Sequence, residues 1–195
     1  MRVLGDAAVE RLGRPLATCD HVELYSCFPV AVRVQQRELG LPLDGTPTVT
    51  GGMSFAGGPF NSYVFQALVA MVRRLRAHGG TGLVTSVSGL LTKPGLGVWA
   101  SESDGRLPLI ADLADEVSAL TATETVVVSP SGGATIVTST VTHEGQDPVE
   151  LVAIVDLDSE SRAVSRSRDA RLVDRALRVG VIGDRVDVVD GRIEV

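Results

Sequence analysis

Aromatic residues are scarce in this chain, making up 4% of 195 residues. Its core must therefore be built mainly from Val, Leu, Ile and Ala. Only Cys19 and Cys27 carry thiols, too few for a disulfide framework. His21, His78 and His143 are scattered, and with two cysteines they offer no metal-ligand spacing. No metal site is expected. Lysine is nearly missing, since Lys93 is the one lysine among 18 Lys and Arg residues. No apolar run approaches the ~20 residues that span a bilayer. The opening Met1-Arg2-Val3-Leu4-Gly5-Asp6 has no signal-peptide core, because Asp6 and Glu10 interrupt it. These absences give the expectation of a cytoplasmic chain with no membrane span.

What remains is an ordinary globular composition, 44% hydrophobic and 22% charged. The length suits one large domain or two small ones. Charge is unevenly placed. Residues 1–110 sum to +2 and residues 111–195 to −8, within a total of −6. That asymmetry implies two regions with different jobs. The acidic part has no Phe, Tyr or Trp after Trp99. Base stacking needs such rings, so no nucleic-acid partner is expected.

Leu4, Ala8 and Leu12 lie four apart ahead of Gly13 and Pro15, which predicts a helix and its stop. His21 to Tyr25 alternates like a strand and leads through Ser26-Cys27-Phe28 to Pro29. Pro29 suits a first helical turn, and Val30 to Leu39 reads as a helix ending at Gly40. Thr48-Val49-Thr50 is a short strand candidate.

The most distinctive stretch runs Gly51-Gly52-Met53-Ser54-Phe55-Ala56-Gly57-Gly58-Pro59-Phe60-Asn61. Two glycine pairs frame a loop, and Asn61 is placed to N-cap the helix that follows. In that helix Val64, Ala67, Leu68, Met71, Val72 and Leu75 form one apolar stripe, and Gly79-Gly80 stops it. The loop has two readings: a phosphate cradle at a helix start, or a tight turn that brings helix and sheet close. Pro59 removes one amide donor from the cradle.

Gly82 to Val87 and Gly95 to Ser101 predict two strands, joined through Ser88 to Pro94. Ser101 to Pro108 reads as a linker, and Ile110 to Leu120 as a short helix. Beyond Thr123 the pattern becomes β-rich, with strands at 125–129, 134–143, 149–157, 162–165, 179–189 and 192–195. Gly132-Gly133, Glu144 to Pro148, Asp158 to Ser161 and Asp190-Gly191 supply turns. A helix covers Arg168 to Leu177. This order predicts a small, partly open barrel of the oligonucleotide/oligosaccharide-binding (OB) shape. The fold class is α/β, divided as 1–108 and 109–195.

Candidate chemistry is sparse. Cys27 is either a thiol at a site mouth or a small apolar residue beside Phe28. Ser86 sits in Ser86-Val87-Ser88-Gly89, which lacks the Gly-x-Ser-x-Gly elbow, so it competes with a simple strand end. Arg162, Arg166, Arg168, Arg171, Arg175 and Arg178 form a cluster interleaved with Glu160, Asp169 and Asp174. That cluster suits either an anion or a face of local ion pairs.

Three blocks resemble the thiolase superfamily, specifically its C-terminal half. They are Glu23-Leu24-Tyr25-Ser26-Cys27-Phe28, the loop Gly51 to Val64, and the paired strands Gly82 to Ser101. The later region is similar to the extra C-terminal domain of bacterial thiolase-like proteins of type 1, which are acetyl-CoA acetyltransferase-like. The resemblance implies a layered thiolase-like portion over 1–108 and an added β-rich domain over 109–195. It implies an acyltransferase of lipid metabolism acting on a coenzyme A thioester, with no other cofactor bound. The thiolase N-terminal half, with its nucleophilic Cys, has no counterpart here.

The remaining roles can be carried over singly. The water-holding position falls on Tyr25. The loop His falls on Gly58, which has no side chain to take a proton. The acid/base Cys falls near Thr85 or Ser86. Cys27 and Ser86 therefore stand as the catalytic candidates, and Gly51, Gly52, Gly57, Gly58 and Asn61 as the substrate-binding ones. Three functions follow as expectations. One is an incomplete acyltransferase that needs a separate N-terminal-half chain, one a non-catalytic acyl-CoA-binding or partner-stabilising subunit, and one a truncated frame with no activity. The missing loop His favours the second over the first.

Overall fold

The structure is a computed structural model and describes residues 1–158 and 161–194. It groups into two compact units, Met1–Leu120 and Thr121–Val195.

The first unit is built on a three-stranded sheet. Strand β1 (His21–Glu23) runs parallel to β2 (Thr81–Ser88), and β2 runs antiparallel to β3 (Lys93–Ala100). β2 and β3 extend into the expected connector and close it to a hairpin, with Pro94 opposite Val87. Successive strand residues face opposite sides, so Leu83 and Val84 enter two different cores. Leu83 joins Leu16, Leu24, Leu39 and Leu41. Val84 joins Tyr63, Ala67, Met71 and Leu75.

Four helices surround that sheet's chain: α1 (Arg2–Leu12), α2 (Pro29–Glu38), the single turn α3 (Met53–Ala56) and α4 (Tyr63–His78). α1 stops at Gly13, whose φ of 70° is left-handed. α2 starts with Pro29 in its first turn. In α4, Tyr63, Ala67, Met71 and Leu75 are buried at spacings of four, the periodicity of one helix face. A further short helix, α5 (Ala114–Leu120), completes the unit.

Two expectations fail here. Thr48-Val49-Thr50 is not a strand. The Val49 and Thr50 amides both point to one carboxylate, whereas adjacent strand amides point to opposite edges. Asn61 does not cap α4. Ser62 occupies the cap position without a side-chain bond, and Asn61 has a φ of 64°.

The second unit is a sheet ordered β4-β7-β6-β5-β8-β9, and β9 also pairs with β7. The strands are β4 (Val126–Val127), β5 (Gly132–Glu144), β6 (Asp147–Leu157), β7 (Ser161–Ser167), β8 (Arg185–Val189) and β9 (Arg192–Glu194). The parallel β7–β9 contact, Arg166 to Arg192, closes five strands into a barrel and leaves β4 outside it. A register shift between Ile136 and Thr138 bends the long β5. Ala134, Ile136, Leu151, Val155, Val188 and Ile193 fill the interior.

Helix α6 (Ala170–Arg178) lies between β7 and β8 in the chain. Asp169 caps it, accepting from the Arg171 and Leu172 amides at 2.9 Å each. Asp190-Gly191 makes the tight turn, with φ of 47° and 77°. Gly132-Gly133 is not a turn but the start of β5, and the strand expected from Val179 begins only at Arg185. Ser159 and Glu160 of one expected turn, and Val195, lie outside the described residues.

Candidate functional site

In open α/β sheets, ligands gather at the carboxyl ends of parallel strands. Here those are the ends of β1 and β2. The chain leaving β1, Tyr25 to Phe28, meets the glycine loop there. Ser26 Oγ accepts the Met53 amide at 2.8 Å. Cys27 is half-buried and packs in one cluster with Met53, Ala56, Val64 and Val87.

The centre of this region is Glu23, which is fully buried. Its carboxylate accepts the Val49 amide at 2.6 Å and the Thr50 amide at 2.9 Å. It also accepts the Thr48 hydroxyl at 2.9 Å and the Thr50 hydroxyl at 3.1 Å. The Tyr63 phenol donates to it as well. Those hydroxyls then accept from the loop: Gly51 N–H reaches Thr48 Oγ1 and Gly52 N–H reaches Thr50 Oγ1, both at 3.0 Å. Burial, and then the bond to Glu23, push the Tyr63 phenol above its ordinary value. The Tyr63 ring also meets the Tyr25 ring edge-on, with centroids 5.5 Å apart.

A second buried network ties β1 to β2. Thr85 Oγ1 accepts the Tyr25 amide at 2.9 Å and donates to Gln35 Oε1 at 2.5 Å. Gln35 Nε2 donates to the Tyr25 and Ala31 carbonyls at 2.8 and 2.9 Å. An amide is no base, so Thr85 has no group here to take its proton.

The seven candidates from the sequence fall out as follows. Gly51 and Gly52 take φ of 86° and 84°, a region that favours glycine, and their amides point inward. The Gly57 amide closes α3 onto the Met53 carbonyl at 2.9 Å. Among the described residues, the Gly58 amide has no hydrogen-bond acceptor. Asn61 is exposed. Cys27 is half-buried against the core cluster of Tyr25, Tyr63 and Val84. Ser86 lies near the carboxyl end of β2, opposite Gly95 in the hairpin, where a Cβ on that glycine would come within 2.4 Å of Ser86 Oγ.

Phe55 and Phe60 in the loop, and Phe65 at the start of α4, are exposed. A cavity of about 430 Å³ in the same unit is lined by Asp20, His21, Thr48, Val49 and Arg74, among others, and by none of the seven candidates. Among the described residues no three His, Cys, Asp or Glu side chains are grouped to hold a metal.

Glu23, Thr48, Thr50 and Tyr63 were not singled out from sequence. The available signal was an acidic residue at an inward strand position, followed by a Thr-x-Thr pair before the glycines. Of the six arginines in the basic cluster, five form ion pairs among the described residues. Arg162 meets Asp156 at 2.7 Å, Arg166 and Arg168 meet Glu150 at 3.0 and 3.2 Å, Arg175 meets Asp184 at 2.7 Å, and Arg178 meets Asp174 at 2.7 Å.

No family model and no curated protein matches this sequence. Among solved structures, the chain is similar to a monomeric SCP2-thiolase-like protein type 1 from Mycobacterium smegmatis. The TM-score is 0.84 at 26% identity. The match covers 97% of this chain and 44% of that one. The fold is SCP2-thiolase-like. This chain thus spans less than half the length of its structural neighbour. The neighbour is monomeric, which lends no support to a separate N-terminal-half chain as partner. Among the described residues no helix is long and apolar enough to cross a membrane.

Proposed function

We propose that this chain is a thiolase-like unit that binds a coenzyme A thioester and does not by itself carry out acyl transfer. One observation carries the reading. The loop position that the thiolase resemblance assigns to an acid/base His holds no titratable side chain. Gly58 replaces the loop His. The Thr85 hydroxyl is committed to Gln35 and Tyr25. Cys27 packs among apolar side chains, and no shared network links it to a base among the described residues.

The donor assigned to the thioester oxygen is the Gly58 amide, which has no internal acceptor among the described residues. Gly51 and Gly52 keep a shaping role. Phe55, Phe60 and Phe65 supply an apolar surface for the acyl chain or for a complementary thiolase-like layer, in the same polypeptide or another. The barrel is read as OB-like, supported by its closed order and the helix between its third and fourth strands. A cytoplasmic role in lipid metabolism belongs to the same reading.

Calorimetric titration with acetyl-CoA, paired with a thiolysis assay on acetoacetyl-CoA plus CoA, tests it. Saturable binding without turnover is expected. Turnover lost in Cys27→Ala overturns the reading and makes the chain an acyltransferase, the alternative kept here. Absence of binding overturns the ligand.

A further inference from the structure

Successive backbone amides that converge on one point attract an anion. In this chain the Val49 and Thr50 amides converge on the chain's own carboxylate, and the next two reach it through threonine hydroxyls. We infer that Glu23 is the built-in anion of the glycine loop, and so the positioning residue that sets the loop's shape for a ligand. The ligand half of this statement rests on the reading given under Proposed function; the loop half does not.

The argument follows the direction of each hydrogen. A carboxylate only accepts, whereas a hydroxyl donates once and keeps lone pairs free. Val49 and Thr50 donate directly to Glu23. The Thr48 and Thr50 hydroxyls point their hydrogens at Glu23, which turns their lone pairs outward to Gly51 N–H and Gly52 N–H. A third arm runs through Tyr63. Its phenol donates to Glu23, Ser26 Oγ donates to Tyr63 at 3.4 Å, and Ser26 in turn accepts the Met53 amide.

Five successive amides, Val49 to Met53, are thus held directly or through hydroxyls by one carboxylate. Every hydroxyl in the set is polarised the same way. The glutamine isostere cannot reproduce this. Its amide nitrogen brings hydrogens to a place where all neighbours are donors.

The consequence is a division within the loop. The amides of its first glycine pair are already paired, with Thr48 and Thr50 hydroxyls that point at Glu23. Past α3, the Gly58 amide has no acceptor among the described residues. Glu23 touches no ligand in this arrangement; it acts through the loop.

Residue-resolved amide exchange on the full chain tests the assignment, with acetyl-CoA titration alongside. In Glu23→Gln, exchange at Val49 to Met53 is expected to rise at least ~tenfold, while Ala67 to Leu75 and Leu83-Val84 stay unchanged. Thr50→Val is expected to raise Gly52 exchange about tenfold, and Thr50→Ser, which restores the hydroxyl, to return it to within about twofold of wild type. The Thr50 pair decides the matter even if Glu23→Gln does not fold.

Unchanged exchange at 49–53 overturns the inference. So does a rise spread evenly over the unit, or a Thr50→Val effect that Thr50→Ser shares. The acetyl-CoA affinity of Glu23→Gln is expected to fall at least ~tenfold, and an unchanged affinity overturns the ligand half. A wild-type chain that binds no acetyl-CoA removes the ligand reading alone, because the exchange data still decide what Glu23 does.

Discussion

Tyr63 donates its phenol hydrogen to the carboxylate of Glu23, 40 positions earlier in the chain, and both side chains are fully buried. This bond joins the start of α4 to the end of β1. Hydrogen bonds to a charged group are the stronger ones, and a buried acceptor that loses its donor keeps its desolvation cost. Tyr63→Phe is therefore expected to destabilise the first unit by about 1.5–3 kcal/mol. Urea unfolding followed by a signal from Trp99 measures it.

The same bond has a pH signature. Burial and Glu23 raise the Tyr63 pKa in the folded chain above the ordinary value of 10.0. Its contribution is therefore complete below pH 10 and is lost as pH rises through the folded value. An alkaline titration of stability should fall more steeply for wild type than for Tyr63→Phe. Parallel curves count against a raised Tyr63.

Met71 lies over Gly82, where an added Cβ would fall 2.2 Å from the sulfur and 2.9 Å from Cγ. Helix α4 and strand β2 approach closely because that glycine has no side chain. Gly82→Ala is expected to cost about 1–3 kcal/mol through overpacking. The double variant Gly82→Ala with Met71→Ala should be less destabilised than the sum of the singles, because the two changes relieve one clash. Additive thermal shifts would contradict this packing.

Ser165 lies in the barrel interior, fully buried, and its hydroxyl makes no hydrogen bond to any described residue. A buried hydroxyl without a partner carries its desolvation cost uncompensated. Ser165→Ala is expected to stabilise the barrel by about 1 kcal/mol. Ser167 is the control, because its Oγ accepts the Asp169 amide at 3.3 Å beside the cap of α6. Ser167→Ala should bring no gain. Denaturant midpoints of the two variants compare them directly.

Helix α4 was legible because its apolar residues recur at helical spacing and Gly79 ends it. The Asp190-Gly191 turn was legible because those residue types accept positive φ. Thr48 to Thr50 misled because β-branched residues favour strands, and nothing local announces that a distant carboxylate will turn two neighbouring amides the same way. Asn61 misled for a similar reason. Asparagine suits an N-cap, but the chain enters α4 one residue later. The ion pairs of the arginine cluster were visible as opposite charges, yet their partners Glu150, Asp156 and Asp184 come from other elements.

By itself the sequence determined the class of most elements and the two-part division of charge. These depend on residue type and near-neighbour spacing. Only the tertiary structure decided what holds the glycine loop. Its amides find their acceptors on Glu23, more than twenty positions away, through hydroxyls whose direction depends on that buried charge. A hydrogen-bond network of that kind is set by which donors converge in space, and sequence spacing alone carries no record of it.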